Sequence, residues 1–217
     1  RFPARRVFLV CSIVGALGFG ANYGITGGAS AASGVIVRPT GVNSQGAAAR
    51  DAAFTESDYA QLPPLPETRD EIVAIARALG ADPGRDTYLG ERASRGAALG
   101  AGLSGRRVVA FATHGLRPGD LAGLSRPALA LSVTQTPGES PLLVLDDVMG
   151  MKLDADWVVL SACNTASDDG RAEEALSGLA RGFFFAGARS VLVTHWAVET
   201  RSAQDVVTRT FSAVARE

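Results

Sequence analysis

Three short apolar runs without polar alternation are the clearest pattern in the chain. They cover Arg107 to Thr113, Trp157 to Ala162 and Ser190 to Thr194, and turn-forming residues bound each of them. A strand that is covered on both faces shows such a continuous apolar run, so the pattern predicts buried parallel strands. A fourth run, Ala128 to Val133, lies between the first two.

Helical periodicity separates these runs. Apolar residues recur three and four positions apart from Ala172 to Ala186, and Gly187 is expected to end that helix. An earlier helix is predicted to begin at a capping box, Thr68 to Glu71, and to end at Gly80. Strands that alternate with helices predict an α/β fold with a mostly parallel central sheet. A weaker helical pattern covers Arg92 to Leu103, and a last amphipathic helix is predicted after Thr200.

The first 60 residues are predicted to form a poorly defined region with one strand and a loop rich in Gly, Ser and Pro. Residues Val7 to Phe19 are apolar and follow the basic sequence RFPARR. This apolar segment is too short to span a bilayer, which takes about 20 residues. Two interpretations stay open: a buried strand over Val7 to Val14, which favours a cytoplasmic protein, or the apolar part of a signal peptide. Residues 61–217 are predicted to form the folded domain.

Composition excludes several classes of protein. The 217 residues are 47% hydrophobic, and 21 Lys and Arg nearly balance 22 Asp and Glu, which gives a net charge of -1. A chain this apolar can bury a core, and a balanced charge indicates neither a nucleic-acid partner nor an anionic membrane partner. Two cysteines, Cys11 and Cys163, are too few for a disulfide-rich scaffold.

Candidate chemistry follows three of the predicted strands. His114-Gly115, Cys163 and His195 each come directly after or next to a strand end, and in parallel sheets ligands bind beyond the carboxyl ends of the strands. A cysteine nucleophile needs a base and donors for an oxyanion. We assign these roles to Cys163, to His114 and to the backbone N–H groups of Gly115 and Cys163. His114 precedes Cys163 by 49 residues, against about 50 in caspases.

The stretch from about Pro66 to Phe211 resembles a CHAT domain, a caspase-like module often fused to tetratricopeptide repeats in bacteria. The resemblance rests on five segments in order: LPETRDEIVAIARALGA, VVAFATHGL, GDLAGLSRPALALS, DADWVVLSACNTA and EALSGLARGFFFAGARSVLVTHWAV. It implies a caspase–hemoglobinase-like three-layer sandwich and cysteine endopeptidase activity, a hydrolase reaction, on a protein partner. The family histidine falls on His114 and the family cysteine on Cys163. The resemblance also implies a tetratricopeptide-repeat region in the full-length chain and a domain truncated at its C-terminus here.

Further residues are candidates for binding substrate: Asp120, Asp168 and His195. Related proteases often carry an acid two residues before the cysteine to bind a basic P1 side chain, but Ser161 stands there, so basic specificity is not supported. No metal and no organic cofactor is expected. A zinc site made of His114, Cys163 and His195 has no tightly spaced ligand pair to favour it.

An alternative function is a catalytically inactive caspase-like module that acts in interaction or scaffolding within a bacterial signalling protein. Such a module would keep the sheet without a competent thiolate. The presence of both His114 and Cys163 at strand ends favours the enzyme.

Overall fold

A computed structural model of the chain describes residues 7–11, 59, 62–134, 138–162, 171–193, 205 and 209–213, with the backbone only for 7–11 and 171–176. The strands are β1 (Val7–Cys11), β2 (Thr87–Leu89), β3 (Val108–Ala112), β4 (His114–Leu116), β5 (Ala128–Ala130), β6 (Leu142–Val144), β7 (Trp157–Ser161) and β8 (Val191–Val193). The helices are α1 (Glu67–Ala78), α2 (Pro83–Asp86), α3 (Arg95–Gly100), α4 (Leu145–Gly150) and α5 (Arg171–Phe185), with a 3-10 turn at Gly90–Arg92.

The main sheet is parallel, with the described strands in the order β2-β1-β3-β7-β8. The predicted runs that begin at Arg107, Trp157 and Ser190 are its strands β3, β7 and β8, so these predictions are confirmed. All five residues of β3 are buried, as expected for a strand that is covered on both faces.

Helices cover the two faces of this sheet. Because alternate side chains of β3 and β7 point in opposite directions, each strand contributes to two separate cores. The core on the α5 side includes Val109, Phe111, Val158, Leu160, Leu179 and Phe183. The core on the α1 side includes Val108, Ala110, Ala112, Val159, Ile72 and Ile75. The structure therefore confirms an α/β fold with a mostly parallel central sheet.

A second, antiparallel sheet carries the fourth apolar run. Strand β5 pairs with β4 on one side and β6 on the other, and it makes no ladder with the described strands of the main sheet. The run that begins at Ala128 lies between the first two predicted strands in the sequence, and the structure shows that it belongs to this separate sheet. The chain turns at Thr113, directly after β3, and the connections 117–127 and 131–141 are shorter than the dozen or more residues that a parallel crossover needs.

The apolar segment near the N-terminus contains strand β1, which lies between β2 and β3 in the main sheet. Val7 pairs with Val108 and Cys11 with Ala112. This is the strand interpretation of the segment, confirmed over Val7–Cys11. No helix in the described part of the chain is long and apolar enough to cross a membrane.

Helix α1 begins two residues before the point at which a capping box would place it. Pro66 occupies the N-cap position, and the hydroxyl of Thr68 donates to the carbonyl of Leu65 at 2.6 Å. Glu71 therefore lies past the first turn and faces the sheet, so the predicted capping box is wrong. The end of the helix is as predicted: Gly80 has a φ of 68°, which favours glycine, and its N–H donates to Arg77.

Helix α5 is confirmed over Arg171–Phe185, and Gly187 follows it with a φ of 110°. A Cβ atom at Gly187 would lie 2.3 Å from the carbonyl oxygen of Leu153, so glycine is required here for space as well as for conformation. The helix predicted from Arg92 is shorter in the structure. It is α3, whose start is fixed because the Ser94 hydroxyl accepts a bond from the N–H of Ala97 at 3.1 Å.

The last predicted helix is partly described. Residues 209–213 are helical, and Phe211 is fully buried and packs against Trp157 in a T-shaped arrangement, with ring centroids 6.3 Å apart. Trp157 therefore acts as a packing anchor for this helix. A short strand that the sequence suggests at Val35 to Val37 lies outside the described residues.

Candidate functional site

The carboxyl ends of β3 and β7 lie side by side, and this is where the sequence places the candidate chemistry. Val108 pairs with Trp157, and Ala112 pairs with Ser161. The ladder continues for one residue beyond β3, because the N–H of Thr113 donates to the carbonyl of Ser161 at 3.1 Å. The residue after Thr113 is His114, which therefore follows a strand end held directly against β7.

The imidazole of His114 is buried and bound on one side. His114 is 3% exposed, and its Nε2 lies 2.7 Å from the backbone carbonyl oxygen of Pro63. A carbonyl oxygen only accepts hydrogen bonds, so Nε2 must carry the proton in this contact. Burial lowers the pKa of His114, although the bond to Pro63 acts in the other direction. A neutral imidazole protonated at Nε2 has a free lone pair on Nδ1, and a general base needs such a lone pair.

Pro63 is held in place by the segment around it. Tyr59 is 4% exposed, and its hydroxyl donates to the carbonyl of Leu131, in the loop after β5. The N–H of Leu62 donates to the carbonyl of Tyr59 at 3.2 Å. Helix α1 begins four residues after Pro63. The acceptor for His114 is therefore fixed by a buried anchor on one side and by a packed helix on the other.

A buried carboxyl group contacts the end of β7. The Ser161 hydroxyl donates to Oε2 of Glu71 at 3.1 Å, and Glu71 is 2% exposed. Burial raises the pKa of Glu71 to about 7, and the bond from Ser161 offsets part of that rise. An acidic group thus contacts the residue two positions before Cys163, but it comes from α1 rather than from the strand.

Sequence reasoning missed this role for Glu71 by assigning it to a capping box. The signal available in the sequence was the spacing of Glu71 from the buried residues of the same helix. Glu71 precedes Ile75 by four residues and follows Thr68 by three, which places it on the same helix face as residues that are buried. An acid on the apolar face of a helix indicates a buried partner.

Two more of the candidate residues are described. Gly115 lies in β4, opposite Leu129 of β5. Asp120 binds Arg117 in its own loop: Oδ2 accepts the backbone N–H at 2.7 Å, and Oδ1 accepts from the guanidinium at 3.0 Å. This ion pair neutralises the charge of Asp120, and its role in substrate binding stays a prediction.

Cys163, Asp168 and His195 lie outside the described residues, so the structure does not place them. Their roles stay predictions, as does the oxyanion role of Gly115. The described pair Ala112 and Ser161 fixes where the chain leaves β3 and β7, two residues before His114 and Cys163 respectively.

Comparison with known proteins gives one finding. No match is found among curated proteins. A family model described as "CHAT domain" matches residues 22–217, which is most of the chain and includes every candidate site residue. The chain therefore belongs to the CHAT domain family, a family related to the caspase-like peptidases.

Proposed function

We propose that this protein is a cysteine endopeptidase with a caspase-like sandwich fold, in which His114 and Cys163 form the catalytic dyad. The observation that carries the proposal is the register of β3 against β7. Each residue of β3 pairs with the residue 49 positions later, from Val108 with Trp157 to Ala112 with Ser161. His114 and Cys163 are separated by the same 49 positions.

Constant register supports proximity of the two side chains. Neighbouring strands of a sheet lie about 4.8 Å apart, and the last pair of the ladder lies two residues before each member of the dyad. The segments that follow β3 and β7 leave adjacent strands at the same level, so they start close to each other. The described ends of both strands and the family membership support this proximity.

The geometry of His114 suits the base. With Nε2–H bound to Pro63, Nδ1 accepts the thiol proton of Cys163, and the thiolate attacks the carbonyl carbon of the scissile peptide. The imidazolium so formed keeps its bond to the Pro63 carbonyl and then gives the Nδ1 proton to the leaving amine. Water hydrolyses the thioester in the second half of the reaction and regenerates the thiol.

The oxyanion of each tetrahedral intermediate needs donors, and we assign them to the backbone N–H groups of Gly115 and Cys163. Loss of one such donor typically costs about 100- to 1,000-fold in rate. Asp168 and His195 remain candidates for contacts with a protein substrate. A tetratricopeptide-repeat region in the full-length chain remains part of this proposal as the means of presenting that substrate.

Cleavage of a peptide library tests the proposal. The unmodified chain should cut a subset of peptides, and both Cys163→Ala and His114→Gln should lower kcat/KM at least about 1,000-fold, because the two groups act as a unit. Cys11→Ala is the matched control, since it removes the other cysteine of the chain and should leave cleavage unchanged. Cleavage that survives Cys163→Ala would reject the dyad, whereas an unmodified chain that cuts no peptide would favour the non-catalytic interaction module.

A further inference from the structure

We propose that Glu71 is a positioning residue, which holds the carboxyl end of β7 through Ser161 and thereby sets Cys163 against His114. The inference rests on the proposed function, because it gives Glu71 a part in the same dyad. The segment Pro63 to Glu71 contacts both halves of the site, and this juxtaposition carries the inference.

Stability does not explain a carboxyl group at this position. Glu71 is 2% exposed, and its neighbours Ile72 and Ile75 on α1 belong to an apolar core with Val159 of β7. Burying a carboxyl group is costly unless its hydrogen bonds are all made, and an apolar residue of similar volume would fill the space at lower cost. Polar groups that are buried in spite of this cost call for a specific role.

The hydrogen bonding of Glu71 identifies what it holds. Oε2 accepts from the Ser161 hydroxyl at 3.1 Å, whereas the buried Oε1 has no hydrogen-bond partner in the described part of the chain. Ser161 is the last residue of β7, and its side chain is directed to the α1 side of the sheet by this contact. The bond therefore ties the end of the strand to α1 at the point where the main-chain ladder stops.

The segment Pro63 to Glu71 also holds the imidazole of His114, the proposed base. The carbonyl of Pro63 lies 2.7 Å from Nε2 of His114, and α1 begins at Glu67. The residues just before α1 bind the imidazole of His114, and the second turn of α1 binds the last residue of the strand that precedes Cys163. This double attachment keeps the imidazole and the thiol at a constant distance from each other. A misplacement of about 1 Å at a reacting group can cost roughly 100-fold in rate, so the effect of such a tie is measurable.

Four variants test the role of the contact through the cleavage of peptides. Ser161→Ala and Glu71→Leu each remove the bond, and each should lower kcat by about 10- to 100-fold with little change in KM. Glu71→Gln keeps an acceptor for Ser161 and should stay within about threefold of the unmodified chain. The double variant Glu71→Leu/Ser161→Ala should be no slower than the slower single variant, because both changes break the same bond.

Glu67→Leu is the matched control, since Glu67 is an exposed acid in the first turn of α1, and it should leave kcat unchanged. The thermal midpoint of Glu71→Leu should equal or exceed that of the unmodified chain, because the variant removes a buried carboxyl group. An unchanged kcat in Glu71→Leu would overturn the proposal, and so would losses of kcat that multiply in the double variant. A loss of kcat that is accompanied by a lowered thermal midpoint would overturn it as well.

Alkylation of Cys163 by iodoacetamide at pH 7 separates failure of this inference from failure of the proposed function. If the unmodified chain cuts no peptide, the proposed function has failed. The positioning role then still requires alkylation at least about 10-fold slower in Glu71→Leu and Ser161→Ala than in Glu67→Leu. Equal rates in all three variants would reject it.

Discussion

The buried carboxyl group of Glu71 should make the stability of the protein fall as pH rises, and Glu71→Gln should abolish that effect. Burial raises the pKa of Glu71 from its ordinary value of 4.5 to about 7. The folded protein thus binds this proton more tightly than the unfolded chain does. The stability contributed by the protonated group is fully present below about pH 4.5, and it is lost as pH rises towards 7.

The magnitude follows from the two pKa values. Integrating the proton linkage from pH 5 to pH 8 gives a loss of about 2–3 kcal/mol in the free energy of unfolding. A chain of this length loses about 2–4 °C in thermal midpoint for each kcal/mol, so the loss corresponds to about 5–10 °C. Glutamine has nearly the same shape and no titrating group, so the Glu71→Gln variant should show none of this contribution.

Urea unfolding at pH 5 and at pH 8, followed by tryptophan fluorescence, measures the effect. Other groups titrate over the same range, but they contribute equally to both proteins and cancel in the difference between them. The unmodified chain should lose about 2–3 kcal/mol more than Glu71→Gln between the two values of pH. Glu67→Gln, at an exposed position of the same helix, should behave as the unmodified chain does. Parallel changes in the unmodified chain and Glu71→Gln would refute the reasoning.

Two further predictions concern the packing that positions the sheet. Gly187→Ala should destabilise the protein by at least about 2 kcal/mol, because its Cβ would meet the carbonyl of Leu153 at 2.3 Å and its φ of 110° is strained for alanine. Gly150→Ala, at the end of α4 with nothing within 4 Å of the new Cβ, should change stability by under about 1 kcal/mol in the same thermal melts, and equal losses at both glycines would contradict the account. Phe183→Ala should cost about 3–5 kcal/mol in urea unfolding, whereas Phe185→Ala, at a residue that is 73% exposed, should stay within about 0.5 kcal/mol; similar costs would show that α5 is packed the other way round.

The strands of the main sheet could be predicted because their signal is local. A strand such as β3 is buried on both faces, so every residue from Val108 to Ala112 must be apolar, and the run is visible without knowledge of its neighbours. The same holds for the glycine at position 187, which ends α5. Strand β5 shows the limit of this reasoning, because an apolar run does not reveal which sheet it joins.

The contacts of the candidate site could not be predicted to the same extent. The acceptor for His114 is a backbone carbonyl 51 residues away, and a backbone group has no signature in the sequence. Glu71 fits a capping box by spacing, and it is the start of α1 at Glu67 that turns its side chain to Ser161. The sequence indicated that His114 and Cys163 follow strand ends, because the apolar runs that precede them could be recognised as strands.

Alkylation of Cys163 across a range of pH, in the unmodified chain and in His114→Gln, tests the central claim most directly. Peptide mass spectrometry after brief treatment with iodoacetamide reports Cys163 separately from Cys11. With His114 beside the sulfur, alkylation should persist well below pH 8.5, about the pKa of a free thiol, and in His114→Gln it should fall off near that value. Identical pH profiles in the two proteins would show that the imidazole and the thiol do not meet.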